Sequence, residues 1–366
     1  MRRTLILLGL VIVISILASC VVVTPAPQAE PQSPESTEAE EAAGPVHKRF
    51  AFLVLQSGAK RYFSADIPNF EQVANAAGYE VLVQSAENDA KTQLSQGESV
   101  LTQGIDVLVL QPVNNEAAAA IVEQATQEGV PVISYNDLVS NIEIAAFVGR
   151  DPVIGGRVSA EAALEVHPKG NYVLISGDPA QTVAQGFMQG YKEVLDPEVE
   201  AGNVKIVAEQ YSPEWKTETA IAIIENTLTQ NNNDVQAVLT AYDAMAFGVM
   251  DVLETQGMLD EVYVTGQDVI EGGAQAIAEG RLGGSVWGEF AEMGKRAGET
   301  AVAIAEGRDF EYEATINNGS GEIPWVQVPV YLITKENLAE WACSHQWWLS
   351  IDTIYKNVPA DQWPTC

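Results

Sequence analysis

From Lys48 to Glu306 the sequence alternates short apolar runs with longer amphipathic segments, many of which stop at a glycine. Residues 50–55 form one apolar run, and residues 64–77 carry apolar side chains at helical spacing before Gly78. A run that is apolar on both faces predicts a strand of a parallel sheet, because such strands are covered by helices on both sides. This repeated unit restricts the chain to a small number of α/β architectures.

The same unit recurs along most of the chain. The predicted strands are at 50–55, 79–83, 107–110, 130–135, 144–148, 172–175, 204–210, 235–240, 262–265 and 285–287. The predicted helices are at 64–77, 92–103, 116–128, 153–166, 182–195, 218–229, 244–256, 274–278 and 293–306. A chain of 366 residues corresponds to about two domains. We therefore predict an α/β fold with two doubly wound, Rossmann-like, parallel-sheet domains.

The first 20 residues have the organisation of an export signal. Two arginines precede an apolar stretch at 4–16, and small residues lead to Cys20. The tetrapeptide LASC at 17–20 resembles the bacterial lipobox, which implies cleavage before Cys20 and lipid attachment to its thiol. The alternative is a plain transmembrane anchor, for which the apolar stretch is short against about 30 Å of hydrocarbon. We predict a lipoprotein signal peptide at 1–20 and an exported protein, lipid-anchored to the cell membrane in the periplasm or on the outer face.

Residues 21–47 separate this signal from the repeated units. The segment is rich in proline, glutamate and small residues and has almost no large apolar side chain after Val23. Such a composition buries too little apolar surface to offset the entropy of ordering. We predict a disordered, acidic tether.

Charge and cysteine content exclude several classes of protein. There are 19 Lys and Arg against 50 Asp and Glu, so the formal net charge is −31. Nucleic acid is excluded as a partner because its binding depends on lysines and arginines that neutralise phosphates, and membrane contact is expected through the lipid anchor only. The three cysteines and three histidines are scattered, so no metal site and no cofactor are predicted.

The candidate binding residues are the polar and aromatic side chains that follow the predicted strands. In open α/β sheets, ligands bind at the carboxyl ends of the strands. No glycine-rich phosphate loop follows any strand, which disfavours a nucleotide enzyme. The side chains found there are carboxylates, amides, arginines and aromatic rings, with Gln267 among the amides. The nine predicted ligand residues are Arg61, Tyr62, Asn136, Asp137, Arg150, Trp215, Tyr242, Asp243 and Asp268.

This mixture fits a neutral polyol. Hydroxyl groups both donate and accept, so carboxylates, amides and arginine match them, and aromatic rings cover the C–H faces of a sugar. Each residue also has a purely structural explanation. Asp243 precedes a helix and so is also a candidate N-cap, Trp215 near a helix start is also a candidate core residue, and Arg61 is also a candidate for a solvated loop. The prediction therefore depends on the shared position of these residues at strand ends.

Residues 48–335 resemble the type I periplasmic sugar-binding proteins of ABC importers, close to the D-xylose-binding proteins. The segments that carry the resemblance are QSA at 84–86, GIDVLV at 104–109, GNY at 170–172, NNN at 231–233, GQD at 266–268 and NNG at 317–319. The resemblance implies two lobes joined by three chain crossings, with the ligand in the cleft between them and hinge closure around it.

The resemblance also implies lobe boundaries. Crossings are expected near 149–152, 267–271 and 316–324. The N-terminal lobe is then 48–150 plus 269–316, and the C-terminal lobe is 151–268 plus 320–340. A tail at 341–366 containing tryptophan and cysteine follows.

Individual positions match the family's ligand contacts. Arg61 and Tyr62 match an arginine and an aromatic residue of the first loop, Asn136 matches the first residue of an Asp-Arg pair, and Trp215 matches an aromatic that lies against the sugar. Asp243 and Asp268 match polar positions at strand ends.

Four positions depart from the family pattern. Asp137 stands where the family usually has arginine, Val183 stands near a usual polar contact, Tyr242 replaces an asparagine, and Gly288 replaces a lysine or glutamine. The lost donors put xylose itself in doubt, with Arg150, Lys60 or Trp287 as the residues that compensate. We predict a neutral ligand, because the additional carboxylate of Asp137 would repel an anionic sugar.

The tail is a further departure. Its two cysteines, Cys343 and Cys366, are predicted to form a disulfide in an oxidising compartment, the alternative being two unpaired thiols. Exposed tryptophans in the same tail would mark a partner surface.

Three functions are compatible with these features. The leading one is a non-catalytic receptor that captures a neutral monosaccharide or polyol and delivers it to an ABC-transporter permease. A sensing module for a membrane kinase or chemoreceptor has the same body and differs in its partner. A carbohydrate-active enzyme using paired carboxylates is the third, although no nucleophile motif is present.

Overall fold

The computed structural model describes residues 47–366. The predicted signal peptide, Cys20 and nearly all of the tether at 21–47 lie outside the described residues. Thirteen strands form within the described part of the chain. They are β1 Arg49–Val54, β2 Glu80–Ser85, β3 Val107–Leu110, β4 Val132–Tyr135, β5 Ala146–Arg150, β6 Gly170–Ser176, β7 Val204–Tyr211, β8 Ala237–Thr240, β9 Tyr263–Gln267, β10 Gly284–Gly288, β11 Ala314–Asn317, β12 Glu322–Val328 and β13 Val330–Ile333.

Eleven α-helices accompany the strands of the described residues. They are α1 Ile67–Ala76, α2 Ala90–Thr102, α3 Asn115–Gln127, α4 Pro152–Val166, α5 Thr182–Glu200, α6 Thr217–Gln230, α7 Asp243–Thr255, α8 Glu271–Glu279, α9 Phe290–Ala305, α10 Leu338–Ser344 and α11 Ile351–Ile354. A π-helical turn at Tyr62–Asp66 precedes α1, and short 3-10 turns form at Pro213–Trp215 and Ala360–Gln362. No helix between residues 47 and 366 has both the length and the apolar character needed to cross a bilayer.

The strands form two sheets, as the α/β prediction requires. The first has the order β11-β12-β5-β4-β3-β1-β2 and the second the order β13-β10-β9-β8-β6-β7. Pairing is parallel except for the β11–β12 and β10–β13 pairs at the edges. The central strands β3, β4 and β8 are buried along their whole length, which explains their continuous apolar sequence.

The chain crosses between the two sheets three times. The first crossing follows β5 at Arg150, the second lies at Glu289 between β10 and α9, and the third lies between β12 and β13. Two of the predicted crossings, near 267–271 and near 316–324, are therefore wrong.

The predicted lobe boundaries change accordingly. Strand β10 pairs in parallel with β9 of the second sheet, so residues 269–288 belong to the second lobe, whereas α9 packs against α1 in the first. Strand β12 pairs with β5, so Glu322–Val328 belongs to the first lobe. Strand pairing decides each assignment, and the local apolar pattern does not specify which strand is the partner.

Candidate functional site

A cavity lies between the two lobes, at the carboxyl ends of the parallel strands. It encloses about 50 Å³. A water molecule needs roughly 10–15 Å³ in this measure, so the cavity has room for a small ligand on the scale of one ring. The lining residues are Leu55, Gln56, Ala59, Arg61, Tyr62, Asn136, Arg150, Gln181, Val183, Trp215, Tyr242, Gln267 and Asp268.

The structure brings seven of the nine predicted ligand residues to this cavity, and it places Asp137 and Asp243 outside the lining. The surrounding residues form two groups, which we call the first wall and the second wall of the cavity. The first wall comprises Arg61, Tyr62, Asp66, Tyr135 and Asn136. The second wall comprises Trp215, Tyr242, Asp243, Gln267 and Asp268 of the second lobe, together with Arg150, which ends β5 at the crossing between the lobes and pairs with Asp268.

Arg61 is the centre of the first wall. Its Nη2 and Nε donate to Asp66 at 2.7 and 3.2 Å, and its Nη1 donates to Asn136 Oδ1 at 3.2 Å. The guanidinium lies 3.9 Å from the ring centroid of Phe290, and Tyr135 Oη also donates to Asp66. Burial by itself would lower the pKa of Arg61, but the adjacent Asp66 raises that pKa above its ordinary value. Arg61 is therefore a fixed cation, and each of its three guanidinium nitrogens donates one hydrogen bond to a protein oxygen.

The π-helical turn accounts for this geometry. It starts at Tyr62, so Arg61 and Asp66 are separated by one wide turn and their side chains meet as a buried pair. Tyr62 is held by Gln111, whose Nε2 donates to Tyr62 Oη at 2.7 Å. Asn136 has a φ of 61°, which asparagine tolerates better than most residues and which turns its amide back toward Arg61.

Arg150 occupies the corresponding place in the second wall. Its Nη1 donates to Asp268 Oδ1 at 3.2 Å, and the amide of Gln267 donates to the same oxygen at 3.0 Å. Burial lowers the pKa of Arg150, and Asp268 partly offsets this effect. Arg150 Nε and Gln267 Oε1 are buried and have no hydrogen-bond partner among residues 47–366. Buried polar atoms normally have partners, so these two atoms are suited to hydroxyl groups of a ligand.

Asp268 follows β9 in a tight loop that Asp243 stabilises. Asp268 and Val269 have φ values of 85° and 43°, which are unfavourable for these residue types. Asp243 accepts from Ser285 Oγ at 2.7 Å and from the backbone N–H of Ile270 at 2.9 Å. Burial raises the pKa of Asp243 to about 8. The structure thus places Asp243 behind the loop that presents Asp268, and its side chain positions the second wall.

Two aromatic rings complete the second wall. Trp215 and Tyr242 meet edge to face with centroids 6.4 Å apart, and Trp215 Nε1 donates to Gln181 Oε1 at 2.8 Å. The Trp215 ring lies against Gly177, where a Cβ atom would fall 2.3 Å from ring carbons. Trp215 itself has a φ of 59°, so its placement depends on a strained turn as well as on this glycine. Such rings supply apolar surface for the C–H groups of a sugar.

Asp137 has a different environment from the one that the sequence suggested. Its Oδ1 accepts from the backbone N–H groups of Thr182 and Val183 at 2.7 and 3.3 Å, and also from Thr182 Oγ1. Burial raises the pKa of Asp137 to about 6. The reason given for a neutral ligand, repulsion by Asp137, is therefore wrong, because this carboxylate faces the start of α5 and does not line the cavity.

The charge balance of the cavity gives a different reason to expect a neutral ligand. Each buried arginine is paired with one buried carboxylate, Arg61 with Asp66 and Arg150 with Asp268. An added anion or cation would lose hydration without meeting an unpaired opposite charge.

The structure also shows where the residues that depart from the family pattern lie. Val183 and Tyr242 line the cavity, and Gly288 leaves room for Arg150, whose Cδ would lie 2.9 Å from a Cβ atom there. Of the three residues proposed to compensate, Arg150 lines the cavity. Lys60 donates to the carbonyl of Trp348 at 2.8 Å, and Trp287 is fully buried beneath the C-terminal tail.

Sequence reasoning did not assign roles to Asp66 and Gln181. Asp66 falls inside a segment with helical spacing, so its pairing with Arg61 has no local signal. Gln181 directly precedes α5, at the end of the loop that follows β6, and the rule that ligands lie beyond strand ends would have included it.

The C-terminal tail packs on the second lobe. A disulfide joins Cys343 to Cys366, with Cα atoms 5.3 Å apart. Trp348 Nε1 donates to the carbonyl of Val269 at 2.9 Å, and Trp341 is buried, whereas Trp347 is 48% exposed. The tail therefore supports the loop that carries Asp268. Across residues 47–366 no group of three His, Cys, Asp or Glu side chains is arranged to hold a metal ion.

The sequence profile of the periplasmic binding protein domain matches residues 50–309. The D-xylose-binding periplasmic protein of Escherichia coli is 34% identical over 271 residues, which are 74% of this chain and 82% of that relative. The D-xylose-binding periplasmic protein of Haemophilus influenzae has the same identity and coverage.

Solved structures share the fold. A carbohydrate transporter solute binding protein from Chloroflexus aurantiacus, in complex with D-glucose, superposes with a TM-score of 0.77 at 24% identity. The match covers 83% of this chain and 97% of that one. A solute binding protein from Clostridium phytofermentans with bound β-D-glucose has the same TM-score and identity and covers 84% and 99% of the two chains. At this identity the likeness concerns the fold.

Proposed function

Because the chain belongs to the periplasmic binding protein family, we propose that it is a receptor outside the cytoplasm for a neutral monosaccharide or polyol. The ligand enters the cleft between the lobes, and the closed receptor delivers it to the permease of an ABC transporter. The relatives that bind D-xylose and the solved proteins that hold glucose support a sugar as the ligand class.

One observation supports the choice of a neutral sugar or polyol as the ligand. The cavity combines two paired arginines, two unpartnered buried polar atoms and two aromatic rings within a space suited to one small ring. Hydroxyl groups satisfy donors and acceptors alike, and the rings of Trp215 and Tyr242 cover the C–H faces. A charged sugar would leave its charge unpaired in this setting.

We propose that the receptor is not catalytic. The carboxylates nearest the cavity are already engaged by protein donors, Asp66 by Arg61 and Asp268 by Arg150. A carboxylate held in this way is poorly placed to act as a nucleophile or general acid toward a glycosidic bond. Incubation with oligosaccharides of the bound sugar, followed by product analysis, is expected to show no turnover.

Isothermal titration of the full chain tests the ligand class. The panel is D-xylose, D-ribose, D-glucose, myo-inositol, glycerol and D-glucuronate. We expect at least one neutral compound to bind and D-glucuronate to give no heat. Trp215→Ala should weaken that binding by roughly 10-fold or more, because a ring that covers the ligand is lost. Binding of D-glucuronate with no response to the neutral compounds would contradict the proposal.

We further propose that Cys20 carries a lipid that anchors the exported protein through the tether. The LASC tetrapeptide supports this assignment. Labelling of cells with a palmitate analogue is expected to mark the wild-type chain and not Cys20→Ser. Equal labelling of both would contradict it.

A further inference from the structure

Asp137 makes a contact that joins the two lobes. It follows β4 of the first sheet, whereas its partners Thr182 and Val183 begin α5 of the second lobe. The backbone N–H of Leu138 also donates to Thr182 Oγ1 at 2.9 Å, so the contact involves two adjacent residues of the first lobe. Neither Asp137 nor Leu138 lines the ligand cavity.

Helix α5 has no side-chain cap of its own. Gln181 occupies its N-cap position and makes no capping hydrogen bond, because its amide is used by Trp215 and by the carbonyl of Val113. The first N–H groups of a helix need acceptors, and the positive end of the helix dipole favours a carboxylate there. In this structure Asp137 supplies this acceptor from the opposite lobe.

Both partners are held firmly within their own lobes. Helix α5 packs closely on α4, where a Cβ atom at Gly156 would fall 2.2 Å from the carbonyl oxygen of Phe187. Asp137 is held by Ser134, whose Oγ donates to its carbonyl at 2.6 Å. A contact between two rigid bodies is made or broken when those bodies move relative to each other, as in hinge closure.

We propose that Asp137 is a positioning residue that stabilises the closed receptor by capping α5 across the cleft, and so raises ligand affinity without touching the ligand. This inference rests on the proposed function only in assuming that closure accompanies ligand capture. It gives a physical role to the position where the resembling family carries arginine.

The capping oxygen, rather than the negative charge, is the stabilising element. Asp137 Oδ2 is buried without a partner among residues 47–366, and burial raises the pKa of this carboxyl group. Burial of the charge therefore opposes closure and offsets the attraction of the helix end, whereas the hydrogen bonds to Oδ1 favour closure. An asparagine side chain at this position would keep an acceptor at Oδ1, so Asp137→Asn and Asp137→Ala separate the two contributions.

Pulsed dipolar electron resonance measures the closed population directly. Spin labels are attached at Glu123→Cys on α3 and Glu225→Cys on α6, both exposed and in different lobes. The full chain carries Cys20→Ser so that position 20 takes no label. The distance distribution is recorded without ligand and with each neutral sugar of the titration panel.

Asp137→Ala should lower the closed-to-open ratio by roughly 3- to 30-fold, the range for loss of a helix cap, and Asp137→Asn should stay within about 3-fold of wild type. The matched control is Asp89→Ala, because Asp89 caps α2 wholly within the first lobe by accepting from Thr92 N–H at 2.6 Å. It should reduce folding stability and leave the lobe distances unchanged.

The outcomes separate the two proposals. If the unliganded ratio falls in Asp137→Ala and no sugar changes the wild-type distances, the capping contact is supported and the proposed ligand class fails. If sugars close the wild type and Asp137→Ala closes equally well, the capping role is overturned while the receptor function stands. Distances unchanged by Asp137→Ala in every sample also overturn it.

Discussion

The two walls of the cleft each hold one buried arginine paired with one carboxylate, but they differ in how completely the arginine is used. In the first wall, Nε, Nη1 and Nη2 of Arg61 all donate to protein oxygens. In the second wall, Arg150 uses Nη1 and leaves Nε without a partner in the described chain. The first wall is thus a preorganised structural unit, whereas the second retains hydrogen-bonding capacity for a ligand. Changes in the two walls should therefore affect different measured quantities.

The largest expected effect is on folding and belongs to the first wall. Arg61→Ala leaves Asp66 buried without its cation, which costs roughly 3–5 kcal/mol of the free energy of unfolding. Urea denaturation measures this change. Arg49→Ala is the control, since Arg49 pairs with Glu80 at the surface and should cost about 1 kcal/mol or less. A loss below about 1 kcal/mol for Arg61→Ala would remove the distinction between the walls.

The disulfide should affect the second wall through the tail. Cys343→Ser with Cys366→Ser frees the last residues of the chain, and a loop of this size is worth roughly 3 kcal/mol in the chain-entropy description. Thermal unfolding and hydrogen exchange around Val269 measure the effect, which should spare the first wall. A thiol assay on the unreduced wild type should detect neither cysteine. Full reactivity of both would show that the tail is held without the bond.

Asp268→Asn should weaken ligand binding more than folding. It turns the charge-assisted hydrogen bond to Arg150 into a neutral one about half as strong, so Arg150 and residue 268 are held less firmly at the cavity and the dissociation constant for the bound neutral sugar should rise roughly 10-fold. Titration calorimetry measures it. Asp234→Asn is the matched control, because Asp234 precedes β8 at the opposite end of the sheet. If stability falls and affinity does not, the second wall is structural like the first.

The smallest effect at neutral pH concerns Asp243. Burial raises its pKa in the folded state to about 8, above the ordinary value near 4. The folded state therefore binds the proton more tightly, so this contribution to stability is complete below about pH 4 and is lost as the pH rises through about 8.

Asp243→Asn mimics the protonated side chain and should change stability at pH 7 by less than about 1.5 kcal/mol. It should also flatten the fall in stability between pH 5 and 9, measured by urea denaturation at several pH values. Asp251→Asn, on the same helix but facing solvent, should leave that fall unchanged. A curve for Asp243→Asn that parallels the wild type would show that Asp243 is ionised in the folded protein.

The α/β character was predictable because it is encoded locally. Strands such as β3 and β8 are apolar throughout, and the helices between them have one apolar face. The edge strands β11 and β13 are half-exposed and carry no such signal. The chain crossings at Glu289 and between β12 and β13 depend on which strands pair with β10 and β12, and the positions of these crossings were predicted incorrectly.

The binding residues were predictable as a group for a similar reason. Parallel strands bring their carboxyl ends to one edge, so side chains after successive strands had to converge near Arg61, Asn136 and Asp268. Asp137 and Asp243 follow strands too, yet their carboxylates face Thr182 and Ser285. Strand position specifies the neighbourhood of a side chain and not the direction in which it points.

By itself, then, the sequence determined the two-sheet α/β class and the edge of each sheet at which a ligand would be held, since both follow from periodicity along the chain. Only the tertiary structure decided that every guanidinium nitrogen of Arg61 has a protein acceptor while Arg150 Nε has none among residues 47–366, and that Asp137 caps a helix of the opposite lobe. These distinctions depend on atoms far apart in sequence approaching within about 3 Å, the distance at which a hydrogen bond forms.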